Sequence, residues 1–451
     1  MTRRAAGVLL HPTSLTDGGG RLVVAAERFL DWLAEAGFSV WQVLPLGPAG
    51  SGDSPYAALS SFAGDPRWFA AGSDEGLRPE ASGVAFEAFV ERERAWLSDW
   101  CLYAALKDAH GGRSWLEWDD ALKRRDHGAL GRAEKELAEA IAEKRRVQWE
   151  FFEGWSAIRA AAGRRGIRIM GDIPIYPALD SADVWAHQEM FWLDASGRPV
   201  KVAGVPPDYF SETGQLWGNP IYRWDALAST GYAWWVARVT HQLALHDALR
   251  LDHFRGFVGY WAVPAGAATA AGGAWEPGPG RALFDAIARA VGGTPFVAED
   301  LGYITEDVVA LRTDLALPGM RVLQFGLDAP DSDHAPHNLV RDVVVYTGTH
   351  DNDTAVGWFR SLDPIAKRHV LDYVGGREEE IAWSIVREAM TSIADLAIVP
   401  VQDLLGLGSE ARMNVPGIAN GNWRWRAPHE ALDPALAARV RRLLEITGRL
   451  R

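Results

Sequence analysis

Eight short apolar runs, rich in β-branched side chains, recur along the chain and set its fold. They lie at residues 7–11, 40–45, 167–173, 248–254, 295–300, 321–327, 343–348 and 397–402. Most are apolar without alternation, as strands buried on both faces must be. Amphipathic helical patterns stand between them, for example at 25–36, 281–291, 306–313 and 378–390. Doubly buried strands alternating with helices predict an α/β fold, a closed (β/α)8 TIM barrel. An open doubly wound sheet is the competing arrangement, and no glycine-rich dinucleotide fingerprint follows an early strand to favour it.

The spacing is uneven. A helical excursion separates the second and third strands, a subdomain at about 52–165 that includes helical stretches at 86–109 and 133–163. The second stretch is dense in Ala, Glu, Lys and Arg and reads as a solvated face. Between the third and fourth strands lies a long loop-rich insertion at about 176–245, centred on GVPPDYFSETGQLWGNPIYRWD. A loop this long inside a compact domain is usually functional. No internal repeat and no linker divides the chain, so 1–451 is expected to be a single catalytic domain.

Composition removes several partners. With 46 basic and 59 acidic residues the formal charge is −13, which repels phosphate backbones and anionic lipid surfaces. No nucleic acid and no membrane is therefore expected, and no apolar stretch approaches the ~20 residues of a bilayer span. The start, MTRRAAGVLLHPTSL, carries too short an apolar stretch for a secretory signal and reads as a first buried strand. A single cysteine, Cys101, excludes an internal disulfide framework and points to a reducing, cytoplasmic setting. Trp is unusually abundant, 21 against 16 Phe and 10 Tyr. Core packing accounts for most of any such set, and the excess is also what flat pyranose rings stack on.

Chemistry in a TIM barrel sits at the C-terminal ends of the strands. Four of the eight predicted ends carry acids: Asp172 after the third, Asp252 after the fourth, Glu299 after the fifth and Asp351 after the seventh. One such acid is most simply explained by an arginine partner or a helix cap. Four on one rim are not, because acids at the ends of apolar strands are costly unless employed. Paired carboxylates suit an oxocarbenium-like transition state, one attacking the anomeric carbon while a protonated partner serves the departing oxygen. The two roles need different surroundings. Arg250 shares a strand face with Asp252, and a cation there favours the ionised form a nucleophile needs. His350 and His253 adjoin Asp351 and Asp252 and read either as hydroxyl partners or as packed histidines. HExxH, GxSxG and GxxxxGK[ST] are absent. The HDND tetrapeptide alone is thin ground for a cation site, so no metal and no cofactor is expected.

In this order the motifs resemble the 4-alpha-glucanotransferases, the amylomaltases or disproportionating enzymes of the α-amylase clan. The resemblance runs through GVLLHPTSL, WQVLPLGPAGSGDSPY, GDIPIY, DSADVW, GVPPDYFSETGQLWGNPIY, RLDHFRG, AEDLG, THDND, QDLLGLGSEARMNVPG and GNWRWR. It implies transfer of α-1,4-glucan segments between maltooligosaccharides, with glucose as a small acceptor, by a retaining double displacement. Asp252 matches the nucleophile, Glu299 the general acid/base and Asp351 the transition-state stabiliser. Asp172, Arg250 and His350 match donor-site residues, Ser54 and Tyr56 the SPY segment beside the cleaved sugar, and Gln215 and Trp217 the loop that covers the cleft. An aromatic lid that excludes water would favour a sugar acceptor. The chain departs from the family in Ala57 after SPY, in Asp65 of FAGDP and in a shortened segment after Pro66. Those departures bear on acceptor binding and chain-length preference. An α-glucan hydrolase on the same barrel and a catalytically silent glucan-binding protein are the alternatives.

Overall fold

The computed structural model describes residues 4–15, 22–68, 83–207, 211–418 and 420–450. In chain order the strands among them are β1 (Ala5–Leu9), β2 (Val40–Gln42), β3 (Arg168–Ile173), β4 (Lys201–Val205), β5 (Gln215–Pro220) and β6 (Ala248–Leu251). They continue with β7 (Gly259–Pro264), β8 (Ala274–Pro277), β9 (Phe296–Ala298), β10 (Gly319–Val322), β11 (Val343–Tyr346) and β12 (Leu396–Pro400). Eight of them form one parallel sheet in the order β10-β11-β12-β1-β2-β3-β6-β9, and they overlap the eight runs read from the sequence. The sixth differs most, since β10 starts earlier, at Gly319, and the predicted run at 321–327 continues past Val322 as a 3-10 turn at Leu323–Phe325. Its ends meet. The Ala298 N–H donates to the Pro318 carbonyl at 2.9 Å and the Met320 N–H to Asp300 Oδ1 at 2.7 Å. A buried side-chain carboxylate thus replaces part of a ladder at the seam, and the sheet curls into the predicted barrel.

Strand alternation sorts the core. Leu9, Val40, Met170, Val322, Val344 and Ile398 point inward and fill the barrel, while Val8, Trp41, Ile169 and Val345 point out to the helices. The helix Leu22–Ala36 packs against the C-terminal helix Pro434–Ile446, so the two ends of the chain close one side together. Gly171 is needed on β3 because a Cβ there would lie 2.5 Å from the His246 ring.

The excursion is helical as expected, with Val84–Arg92, Arg94–Ala109, His127–Glu136 and Ala138–Arg164 as its main helices. The solvated reading holds for only one side of the last helix. Its other side buries Trp149, Phe151, Trp155 and Ile158, and its Gln148 amide bonds the Gly64 N–H and carbonyl at 2.8 and 3.0 Å. The insertion differs more. Part of it forms β4 and β5, which join β7 and β8 in a four-stranded antiparallel sheet of order β5-β4-β7-β8. The latter two strands come from beyond the fourth barrel strand. These strands are short and rich in Gly and Pro, and they pair over long separations, so local periodicity carries no trace of them. Asp208, Tyr209 and Phe210 of the insertion motif, and residues 69–82 after Pro66, lie outside the described residues.

Candidate active site

Register builds the centre of the site. β3 and β6 are neighbours with Asp172 paired directly to Arg250, so both side chains project to one point at the barrel mouth. Arg250 Nη1 donates to both Asp172 oxygens at 2.9 and 2.8 Å, and Arg250 Nη2 reaches Asp252 Oδ1 at 2.7 Å. Burial opposes the Arg250 charge, but Asp172 and Asp252 outweigh it and hold the guanidinium above its usual range. One cation therefore fixes two of the four predicted acids. Tyr56 completes the chain, its hydroxyl donating to Asp172 Oδ2 at 2.8 Å.

Glu299 follows β9 and sits differently. Among the described residues its side chain makes no ion pair; Oε2 accepts from the His253 N–H at 2.7 Å and Oε1 from the Leu301 N–H at 2.8 Å. His253 holds a left-handed backbone, φ 55°, and this strained turn after Asp252 accompanies the donation of its N–H to Glu299. Glu299 is 9% exposed. Burial, reinforced by the Asp252 charge and opposed by Arg250, pushes its carboxyl up to about 7. The side chain of Asp252 is 28% exposed and bound to a guanidinium. The two acids thus occupy opposite kinds of surroundings on one rim.

Asp351 is the most open of the acids, at 46% side-chain exposure. Asn414 Nδ2 donates to its Oδ1 at 2.6 Å and Arg412 Nη2 to its carbonyl at 2.6 Å. His350 Nε2 lies 3.4 Å from the same Oδ1, and the His350 ring stacks on Tyr56 with centroids 4.8 Å apart and planes 13° apart. Trp423 packs against both rings. The loop that carries His350 and Asp351 is pinned at both ends by one buried acid in the short helix just past the next barrel strand, β12. Asp403 accepts from Thr347 Oγ1 at 2.5 Å and from the Ala355 N–H at 2.7 Å. Asn414, Arg412, Trp423 and Asp403 were not singled out by sequence reasoning. All four fall inside the quoted C-terminal motifs, but their partners lie more than 45 residues away.

Trp217 on β5 meets the His253 ring edge-on at 4.8 Å, so the insertion reaches the loop that follows Asp252. Gln215 Oε1 accepts from the Trp217 indole at 3.2 Å and steadies it. His253 itself, enclosed beneath that ring, is pushed down to about 4 by loss of solvent and stays neutral near pH 7. Ser54 is placed apart from the acids; its hydroxyl accepts from the Tyr56 N–H at 3.2 Å and caps the short turn that presents Tyr56. Among the described residues no group of three or more His, Cys, Asp and Glu side chains is disposed to hold a metal ion, and no helix is long and apolar enough to cross a membrane. Cys101 is buried away from the site, and burial pushes its thiol up to about 12.

The chain matches the family model described as 4-alpha-glucanotransferase over residues 10–75 and 69–431. A 4-alpha-glucanotransferase of Thermus thermophilus is 47% identical over 497 residues, covering 99% of this chain and 99% of that protein. One from Synechocystis sp. is 43% identical over 498 residues, covering 100% and 99%. A solved amylomaltase from Streptococcus agalactiae, in complex with acarbose, superimposes with a TM-score of 0.93 at 33% identity, covering 100% of both chains. Both sequence alignments run longer than the chain itself, and the family match divides at 69–75, within the segment that follows Pro66.

Proposed function

The chain belongs to the 4-alpha-glucanotransferase family, and on that premise we propose that Asp252 and Glu299 carry out its reaction as nucleophile and general acid/base. The enzyme transfers α-1,4-glucan segments between maltooligosaccharides by disproportionation. The observation that carries the assignment is the contrast between the two acids: Arg250 grips Asp252, whereas Glu299 is buried on backbone donors and raised to about 7. A carboxyl poised there holds a proton at neutral pH and can also give it up.

In the first step the Asp252 carboxylate forms a bond to the anomeric carbon as the glycosidic C–O bond breaks, and Glu299 gives its proton to the departing oxygen. In the second, an acceptor hydroxyl attacks that carbon, the ester bond breaks and the proton returns to Glu299. Two inversions give net retention. Asp351, open and oriented by Asn414, binds sugar hydroxyls and stabilises the distorted ring. Asp172, Arg250, Tyr56 and His350 shape the donor side; Ser54 supports it through the Tyr56 turn. Trp217, steadied by Gln215, covers the cleft and favours a sugar acceptor over water. The reading takes no step through a metal or cofactor.

Residues 1–451 act as one catalytic unit, with 52–165 as a helical subdomain and 176–245 contributing the cover. The compartment proposed is the reducing cytoplasm, in keeping with a lone buried thiol. Purified protein incubated with maltotriose and EDTA should give a ladder of shorter and longer glucans, with free glucose and no net gain in reducing ends. A net gain without longer products would make it a hydrolase. Unchanged maltotriose that still binds would make it a silent glucan-binding protein.

A further inference from the structure

Most of the 21 Trp residues are core, yet the exposed aromatics of the described residues gather in one region. They are Trp192, Trp217, Trp275 and Tyr303, and each lies on the four-stranded sheet or against it. Single exposed apolar side chains are ordinary, whereas a collection gathered about one small sheet indicates a binding role.

The sheet separates them by face. Leu216, Gly204, Trp261 and Trp275 stand directly opposite one another across β5, β4, β7 and β8, so they share a face. Trp217 is one residue along β5 from Leu216 and points to the other face, toward His253 and the cleft. Trp275 therefore belongs to the outer side. The Arg255 guanidinium lies 3.9 Å from the Trp275 ring centroid and 5.3 Å from that of Tyr303, and its Nη1 is anchored on Thr305 Oγ1 at 2.8 Å. The two rings are stacked at 6.5 Å with 28° between planes, and Trp261 braces Trp275 edge-on at 5.2 Å. Both rings are thus held in place while 38% of Trp275 and 64% of Tyr303 face solvent. Gly204, in the middle of the row, is buried and carries no side chain, because a Cβ there would lie 2.4 Å from the Gln215 carbonyl oxygen.

We propose that this outer face, centred on Trp275 and Tyr303, is a second glucan-binding platform that holds a long α-1,4-glucan chain outside the catalytic cleft. The proposal rests on the 4-alpha-glucanotransferase assignment for its ligand class. Its physical basis is the pair of held, flat aromatic faces, which match the C–H faces of pyranose rings. A stable protein partner would need roughly 800 Å² from this side, far more than two partly exposed rings provide. Arg255 begins only three residues after Asp252 and Tyr303 stands four after Glu299, so a chain held here keeps its ends near the cleft.

The test uses the whole enzyme and its Trp275→Ala/Tyr303→Ala variant. Affinity for amylose is read by retardation in amylose-containing native gels, and turnover is measured on both amylose and maltotriose. The double variant should bind amylose about three- to tenfold more weakly and show a raised KM on amylose. Its maltotriose turnover should stay within about twofold of the wild type, because neither ring touches the carboxylates. Unchanged amylose affinity would overturn the platform, and so would an equal loss on maltotriose. A wild-type dimer that the substitutions dissociate would assign the face to self-association and overturn it as well. If the double variant does not fold, Tyr303→Ala, at a largely exposed position, decides by the same readings. A wild type that forms no ladder from maltotriose would refute the transferase assignment instead; amylose retardation lost in the variant would still sustain the platform.

Discussion

The raised carboxyl of Glu299 makes the pH dependence of the first chemical step the sharpest test of the site. With Glu299 as the proposed general acid, donor cleavage needs it protonated, and its folded value of about 7 lies above the 4.5 of a free glutamate. The competent form is therefore full below pH 7 and is lost as pH rises through it. At pH 7 half the molecules hold the proton, against roughly 0.3% for a glutamate at 4.5, a gain of about 160-fold in competent enzyme. kcat/KM for maltotriose, which reports the free enzyme, should fall tenfold per pH unit above about 7. A maltosyl fluoride donor separates this proton from other causes, because fluoride leaves without general-acid help. Its glycosylation step should lose the alkaline limb. When Asp252 becomes an ester its charge disappears, and with it one of the forces that raise Glu299; the residue is then poised as a base for the acceptor hydroxyl. NMR titration of Glu299 in the Asp252→Asn variant should accordingly give a lower value than in the wild type. An alkaline limb that persists with the fluoride donor, or a midpoint near 4.5, would refute the acid/base assignment.

Other perturbations probe the parts in turn. Asp252→Asn should abolish both transfer and hydrolysis of maltotriose, with the fold intact by circular dichroism; robust residual turnover would move the nucleophile elsewhere. Trp217→Ala should raise the ratio of hydrolysis to transfer several-fold, read as net reducing ends against longer products, and an unchanged ratio would remove its role as a lid. Asp403→Asn turns one of two acceptor oxygens into a donor facing Thr347 or the Ala355 N–H, a cost of about 1–3 kcal/mol. It should lower kcat through the His350–Asp351 loop as well as the unfolding temperature, so loss of stability with full kcat would confine Asp403 to a structural role. Arg449 is fully buried and donates to the carbonyls of Met390, Ala5, Ser392 and Ala394 at 2.8–3.0 Å. Arg449→Met should cost at least ~3 kcal/mol in denaturant unfolding while leaving maltotriose turnover at moderate temperature unchanged.

The barrel itself imposes the division of labour between the acids. Parallel neighbours in register must bring the ends of β3 and β6 together, so an acid on one and an arginine on the other pair wherever both point inward. Asp252, one residue past the end of β6, is then within reach of the same guanidinium. Glu299 leaves β9 at the seam, where the next residue, Asp300, is committed to closing the barrel through the Met320 N–H, Arg312 and Arg321. The arginines on that side are occupied by Asp300, and Glu299 is left with backbone donors. The closure of the barrel thus leaves Glu299 on backbone donors, and burial with the Asp252 charge raises its carboxyl against the pull of Arg250.

What could be read from the sequence follows the range over which each signal acts. Val343–Tyr346, four buried residues in a row, announces a doubly buried strand by itself, and Asp252 declares its place because the run that precedes it ends there. Arg250 was legible too, since a period of two links it to Asp252 within one strand. The sheet of β4, β5, β7 and β8 was not, because its Gly- and Pro-rich strands are specified by pairing partners up to about 60 residues away and not by their own pattern. The same holds for Asn414 on Asp351 and for Asp403 on Thr347 and Ala355, contacts that exist only once two loops meet above the barrel. His253 shows the limit most clearly. Its side chain read either as a hydroxyl partner or as a packed histidine, but the contact the structure gives it with the rim acids is its backbone N–H on Glu299, made in a left-handed turn. A backbone donor has no residue type, so motif reading alone does not find it, although it helps to hold the acid on which the reaction depends.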